Sequence, residues 1–222
     1  MNRHDKITYM NRFVLSLLLL AVLSLACALT PAVQQPVLPS GTILFQDDFA
    51  RANTGWNRLS TTEGTIDYDA GGYRMLVNSL QTNFWSTPHK SFSDVRVEVD
   101  SGKLGGPDEN RIGLVCRFTG SDYYFFLISS DGFYGIGVYT GGKALLLGQS
   151  EMQPNPNIKV GLAVNHLRAD CVGNAFTFYV NGFKVAQVQD ATLASGDIGL
   201  LAGTFARPGV DIVFDNFVVL QP

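Results

Sequence analysis

The chain has 222 residues, a formal net charge of −3 and only 16% charged residues. Recognition of a phosphate backbone needs a basic stripe, and none is present, which excludes nucleic acid as a partner. His4, His89 and His166 stand isolated, and no Gly-x-Ser-x-Gly elbow or glycine-rich phosphate cradle occurs, so zinc, serine-hydrolase and nucleotide chemistry lack their usual marks.

Arg3, Lys6 and Arg12 precede an apolar run over 13–26 that is short for a membrane-spanning helix, the pattern of a removable targeting signal. The run ends in Leu23-Ser24-Leu25-Ala26-Cys27, which resembles the lipobox of bacterial lipoproteins. That resemblance implies a signal over 1–26, a lipid on Cys27, and an exported protein at a cell-surface or periplasm-facing membrane, touching the membrane through its lipid anchor only. The alternative is an ordinary secretory signal with Cys27 incidental. Residues 27–40, with Pro31, Pro36 and Pro39, carry too little apolar surface to fold alone and read as an extended tether. Residues 41–222 suffice for one domain with a sizeable core.

From Asp47 onward, Gly, Asn and Asp pairs recur about every 8 to 12 residues between β-branched and aromatic runs, which predicts many short antiparallel strands in a sandwich or barrel. Two-residue turns fix register. Asp131-Gly132 is expected to pair Phe126 with Gly137 and Tyr124 with Tyr139. Gly141-Gly142 is expected to pair Tyr139 with Ala144 and Gly137 with Leu146. A four-residue turn over 119–122 sets Cys116 opposite Phe125.

In this register one face of the meander, with Ile112, Leu114, Cys116, Phe118, Tyr123, Phe125, Leu127, Ile136, Val138, Leu145 and Leu147, is core. The other shows Arg111, Val115, Arg117, Tyr124, Phe126, Tyr139, Ala144 and two glycines, Gly135 and Gly137. A one-residue slip would exchange the faces.

Further on, Gly173-Asn174 and Asn181-Gly182 flank a strand over 175–180. Leu167, Ala169, Cys171, Phe176, Phe178, Val180, Phe183 and Val185 then point inward, with Arg168, Asp170, Thr177, Tyr179 and Lys184 outward, the alternation of a sheet with one solvated side. Cys116 and Cys171 both point inward. They form a disulfide if they face each other, and otherwise act as two small buried apolar residues.

Asp47-Asp48-Phe49 with Gly55-Trp56, Tyr123-Tyr124-Phe125 with Asp131-Gly132, Gly173-Asn174, Tyr179-Val180-Asn181-Gly182 and the closing Phe214-Asp215-Asn216-Phe217 together resemble concanavalin A-like jelly rolls. The likeness is to the laminin-G-like and 3-keto-disaccharide hydrolase-like domains of bacterial surface lipoproteins. It implies an all-β, two-sheet antiparallel jelly-roll sandwich. Family members include carbohydrate-binding modules, adhesion domains and enzymes. Related domains often hold a structural calcium where the first and last strands meet, which makes Asp47, Asp48, Asp215 and Asn216 the candidate ligands. In the alternative these residues only bound the terminal strands.

Glu98 and Asp100 alternate with Arg96 on one strand, whereas laminarinase-type enzymes of this fold use Glu-x-Asp-x-x-Glu or Glu-x-Asp-x-Glu. Here Ser101-Gly102-Lys103 follows, so the acid is missing and no catalytic residue is assigned. The outer face of the meander is the expected ligand site, since sugars pack their C–H faces on aromatic rings beside a few fixed polar groups. Tyr124, Phe126 and Tyr139 supply rings there, with Arg111 and Arg117 as donors to a glycan or cell-surface polysaccharide. Loops or a third layer covering that face would remove the site. An adhesion module that binds protein, and a glycoside hydrolase-like enzyme, are the other readings.

Overall fold

The computed structural model describes residues 38–222. The expected signal, the lipidation site Cys27 and all but the last residues of the tether lie outside the described residues. The rest forms one compact unit, Leu38–Pro222.

Its strands are β1 (Ile43–Asp47), β2 (Leu59–Thr61), β3 (Gly64–Asp69), β4 (Gly72–Val77), β5 (Asn83–Ser86), β6 (Ser91–Phe92), β7 (Val95–Gly105), β8 (Asn110–Phe118) and β9 (Tyr123–Ile128), followed by β10 (Phe133–Thr140), β11 (Lys143–Leu146), β12 (Gln153–Pro154), β13 (Val164–Val172), β14 (Ala175–Val180), β15 (Phe183–Gln189), β16 (Gly196–Thr204) and β17 (Val210–Leu220). They make two antiparallel sheets. The first, nine-stranded, runs β15-β14-β13-β7-β17-β4-β3-β2 with β1 also on β17, and the second, eight-stranded, runs β11-β10-β9-β8-β16-β5 with β12 on β10 and β6 on β16. This is the all-β jelly-roll sandwich of the concanavalin A type.

The first sheet follows the period-2 pattern closely. Along β7, Val95, Val97 and Val99 are buried while Arg96, Glu98 and Asp100 face outward, because a strand with one solvated side keeps polar groups in water. Leu167, Ala169, Cys171, Phe176, Phe178 and Val180 are fully buried beside them. Phe183 departs from its expected inward place: it sits at the tip of the edge hairpin and stays 58% exposed. Cys116 of β8 and Cys171 of β13 form a disulfide that ties the two sheets together across the core.

In the second sheet the register of β10 with β11 is the one the Gly141-Gly142 turn dictates, with Tyr139 opposite Ala144 and Gly137 opposite Leu146. Strand β9 is shifted by one residue on both sides. On the β10 side Gly137 pairs with Phe125 and Val138 with Tyr124, since the hairpin has a three-residue loop. Ser129 N–H donates to Phe133 O (2.9 Å), Gly132 N–H to Ser129 O (3.0 Å), and Gly132 takes the left-handed φ of 99° that such loops need.

On the β8 side the turn does close by Thr119 N–H donating to Asp122 O (3.0 Å), but Cys116 pairs with Tyr124. The extra residue is Arg117, a β-bulge with φ 54°. A one-residue slip turns a strand over. Thus Tyr124, Phe126 and Ile128 enter the core, while Tyr123, Phe125 and Leu127 point outward together with Phe118. Leu145, also expected inward, lies on the edge strand β11 and is exposed, whereas Leu147 packs against the core.

Candidate functional site

The outer face of the second sheet is built from alternate residues of its strands. β5 contributes Asn83 and Trp85, β8 contributes Arg111 and Val115, β9 contributes Tyr123, Phe125 and Leu127, β10 contributes Tyr139, and β16 contributes Leu201. Leu146, at the end of β11, and Met152, in the segment after it, pack on this layer and cover part of it. The remainder is an open groove. One part, about 400 Å³, lies between Arg111, Phe205, Phe125, Leu146 and Met152, and the other, about 440 Å³, runs past Tyr139 to Trp85 and the turn at Gly120-Ser121. Gln81, Asn83, Tyr123 and Tyr139 line both.

Aromatic packing holds the groove walls in place. Tyr123 and Tyr139 stack with ring centroids 5.1 Å apart and planes 12° from parallel. Phe118 lies 5.9 Å from Tyr123, and Trp85 lies 6.3 Å from both. These separations suit offset and tilted ring pairs. Trp85 nonetheless remains 43% exposed at the rim. Gly137 lies under this layer because a Cβ there would meet the Phe125 ring at 2.1 Å. A side chain at this position would push Phe125 out of the floor.

Polar groups in the groove are few and fixed. Arg111 Nη1 donates to Asn83 Oδ1 (2.9 Å) and to Thr204 O (2.8 Å), and its guanidinium lies over the Phe205 ring at 3.9 Å. Burial pushes the Arg111 pKa down, opposed by the nearby Tyr123 phenol. The Tyr123 hydroxyl is itself pushed up to about 12, first by burial and then by Tyr139, with Arg111 and Asn83 pulling the other way. It is therefore a neutral donor near pH 7.

Of the five residues expected at the ligand face, the structure brings Tyr139 and Arg111 together here. Tyr124 and Phe126 are fully buried between the sheets and cannot touch a ligand. Tyr124 lies 4.1 Å from the Phe176 ring, its hydroxyl donates to Asp190 Oδ1 (2.5 Å) and accepts from Leu193 N–H (3.1 Å), and Phe126 packs on Phe176 and Phe178. Arg117 is also corrected, since the bulge turns its side chain inward to 3% exposure. There Nε donates to Ser93 O (3.1 Å), Nη1 to Leu193 O (2.7 Å) and Nη2 to Gly173 O (2.7 Å) and to Asp94 Oδ1 (3.4 Å).

Sequence reasoning missed Trp85, Asn83, Tyr123 and Phe125. The alternation of β5, with Phe84 and Ser86 buried and Trp85 exposed, was the available signal for the first two.

Of the expected calcium ligands, Asp47, Asp48 and Asn216 line one cleft at the seam of β1 and β17, where Asp47 lies opposite Phe217, and Asp215 is not part of its lining. Asp47 Oδ1 accepts from Phe49 N–H (2.9 Å) and Oδ2 from Trp56 Nε1 (3.0 Å), so this carboxylate ties the first loop to an aromatic core of Phe49, Trp56, Tyr73 and Phe217. Asp48 and Asp215 each accept a backbone N–H of the next residues, and Asn216 Nδ2 donates to Asp100. Among the described residues no three Asp, Glu, His or Cys side chains are grouped to hold a metal ion. Glu98 and Asp100 face outward on the first sheet, where His166 bridges them at 3.4 and 2.8 Å, far from any apolar groove wall of the second sheet.

No family model and no curated protein sequence matches the chain. Solved structures do. The carbohydrate-binding module CBM66 from Bacillus subtilis is 18% identical over 84% of this chain and 100% of its own, with a TM-score of 0.52. A protein of unknown function with a galectin-like fold, also from Bacillus subtilis, is 14% identical over 83% and 98%, with a TM-score of 0.60. A β-glucanase from Bacillus licheniformis is 13% identical over 83% and 100%, with a TM-score of 0.56. At these identities the likeness is one of fold.

Proposed function

We propose that the grooved face of the second sheet binds extracellular glycan without catalysing a reaction, on a protein held at a membrane by lipid on Cys27. The observation that carries this reading is the Tyr123–Tyr139 stack beside the exposed Trp85, with Asn83 and Arg111 as the fixed polar groups around it and Gln81 at the edge. Flat rings at a groove rim offer the C–H face of a sugar the surface it packs on, and the amide and guanidinium groups orient its hydroxyls. Similar folds in a carbohydrate-binding module and a β-glucanase favour the same class of ligand. The groove lining includes no Asp, Glu or His, so a paired-carboxylate hydrolysis has no groups in it to act as acid and nucleophile.

A glycan array probed with the wild type, Tyr139→Ala and Trp85→Ala tests the proposal. Both rings lie at the rim, so their removal leaves the fold in place, and each is expected to weaken binding by about tenfold or more. Absence of any bound glycan in the wild type, or binding indifferent to both substitutions, defeats it. Mass spectrometry of the mature N-terminus tests the anchor: a diacylglyceryl mass on Cys27 supports it, and an unmodified terminus elsewhere removes it.

A further inference from the structure

Arg111 is under-used by the protein. Among the described residues both of its hydrogen bonds leave from Nη1, and no carboxylate forms an ion pair with it. Its Nε and Nη2 have no protein acceptor, yet no buried side-chain nitrogen among the described residues lacks a partner, so these two atoms reach solvent. They form one edge of the guanidinium, two parallel N–H bonds in a plane that Phe205 fixes from one side at 3.9 Å. Elsewhere in this chain the same edge has a carboxylate on it: Arg74 holds Asp211 with Nε to Oδ1 at 2.8 Å and Nη2 to Oδ2 at 2.7 Å.

A half-buried cation that lacks its counter-charge is costly to keep. Four other arginines avoid that state, with Arg58 on Asp67, Arg96 and Arg168 on Asp170, and Arg74 on two aspartates. Arg111 instead sits in a groove with no acidic residue in its lining. We propose that the groove selects acidic glycans, with the Nε–Nη2 edge of Arg111 holding the carboxylate of a uronic or sialic acid side by side. The proposal rests on the glycan reading of the same face and adds the charge of the ligand. Phe205 and Asn83 position the guanidinium, and Tyr139 and Trp85 take the sugar ring.

The test compares oligogalacturonate, hyaluronan and sialyl oligosaccharides with their carboxyl-reduced counterparts, each titrated calorimetrically into wild-type protein. Reduction replaces a carboxylate by a neutral hydroxymethyl group and leaves the protein untouched, so no variant has to fold. At least one acidic probe is expected to bind about 10- to 100-fold tighter than its reduced form, the loss of a charge-assisted pair. Arg111→Gln, checked for folding by circular dichroism, is expected to bring the two affinities together, and Arg111→Lys, which keeps the charge without the fork, to restore only part of the gap. Equal affinity for acidic and reduced probes overturns the inference and leaves the glycan reading standing. A wild-type protein that binds neither set, nor any neutral glycan of the array, overturns both.

Discussion

Replacing Arg117 by methionine is expected to destabilise the domain while sparing the groove proposed to bind glycan. The guanidinium is buried at the end of the sandwich, over the Phe176 ring at 5.0 Å, and it bonds three carbonyls from three different segments: Ser93 before β7, Gly173 in the β13–β14 turn, and Leu193 before β16. Methionine fills most of the volume but leaves those oxygens without a donor. Ser93 and Gly173 are exposed and Leu193 half-buried, so water reaches these oxygens and replaces much of what each loses, and the net cost is expected to be about 1–3 kcal/mol. For a domain of this size that lowers Tm by about 2–12 °C.

Urea unfolding followed by tryptophan fluorescence, with the disulfide intact, measures the loss directly. A change within about 0.5 kcal/mol, the range of an exposed substitution, would refute the burial. Weakened glycan binding at unchanged stability would return Arg117 to the ligand face.

The cross-sheet disulfide is expected to contribute about 2–4 kcal/mol, so Cys116→Ala/Cys171→Ala melts lower than the wild type, and a melting temperature indifferent to both the double substitution and a reductant would show the bond is absent. Tyr123 has its folded pKa raised from 10.0 to about 12, and Tyr73 and Tyr124 are raised as well, chiefly by burial. A raised pKa favours the protonated form in the folded state, so the stabilisation is complete below pH 10 and is lost as pH rises toward 12. Urea midpoints from pH 8 to 12 are expected to hold level and then fall, with the fall reduced in Tyr123→Phe, whereas parallel curves for the two proteins would count against the shift. Chelation of calcium is expected to leave Tm unchanged because Asp47 is already bonded to Phe49 and Trp56, and a rise in Tm on adding calcium would reverse that reading.

How much of this was legible in the sequence depends on what each strand faces. The first sheet was legible because water lies on one of its sides: Arg96, Glu98 and Asp100 alternate with valines, and Arg168 and Asp170 alternate with Leu167, Ala169 and Cys171, so either register error would bury a charge. The second sheet offers no such check. All six residues of β9 are buried, apolar on both sides, and its sequence reads equally well in either orientation. Only the turn and the bulge decide. The Gly141-Gly142 turn has the two-residue length its sequence states, but Asp131-Gly132 is the end of a three-residue loop. Arg117 bears no sequence mark of a bulge, since a left-handed φ in a non-glycine residue is imposed here by the carbonyls its side chain must reach.

That same ambiguity separates the two outer surfaces of the molecule. In a two-layer sandwich each sheet has one face on the core, and the other face needs only to be wettable. The first sheet meets that condition with ion pairs among Arg96, Glu98, Arg168 and Asp170. The second sheet places Val115, Tyr123, Phe125, Leu127 and Leu201 on its outside, a second apolar cluster that folding of two layers does not require. Leu146 and Met152 screen one end of it, and Trp85, with Tyr139, keeps the other end open to solvent. The cluster itself is buried by its own packing and by these neighbours, and what it leaves open to solvent is the rim at Trp85. The groove it lines, with a single cation and no anion in its wall, is where this chain's sequence departs from what its fold alone demands.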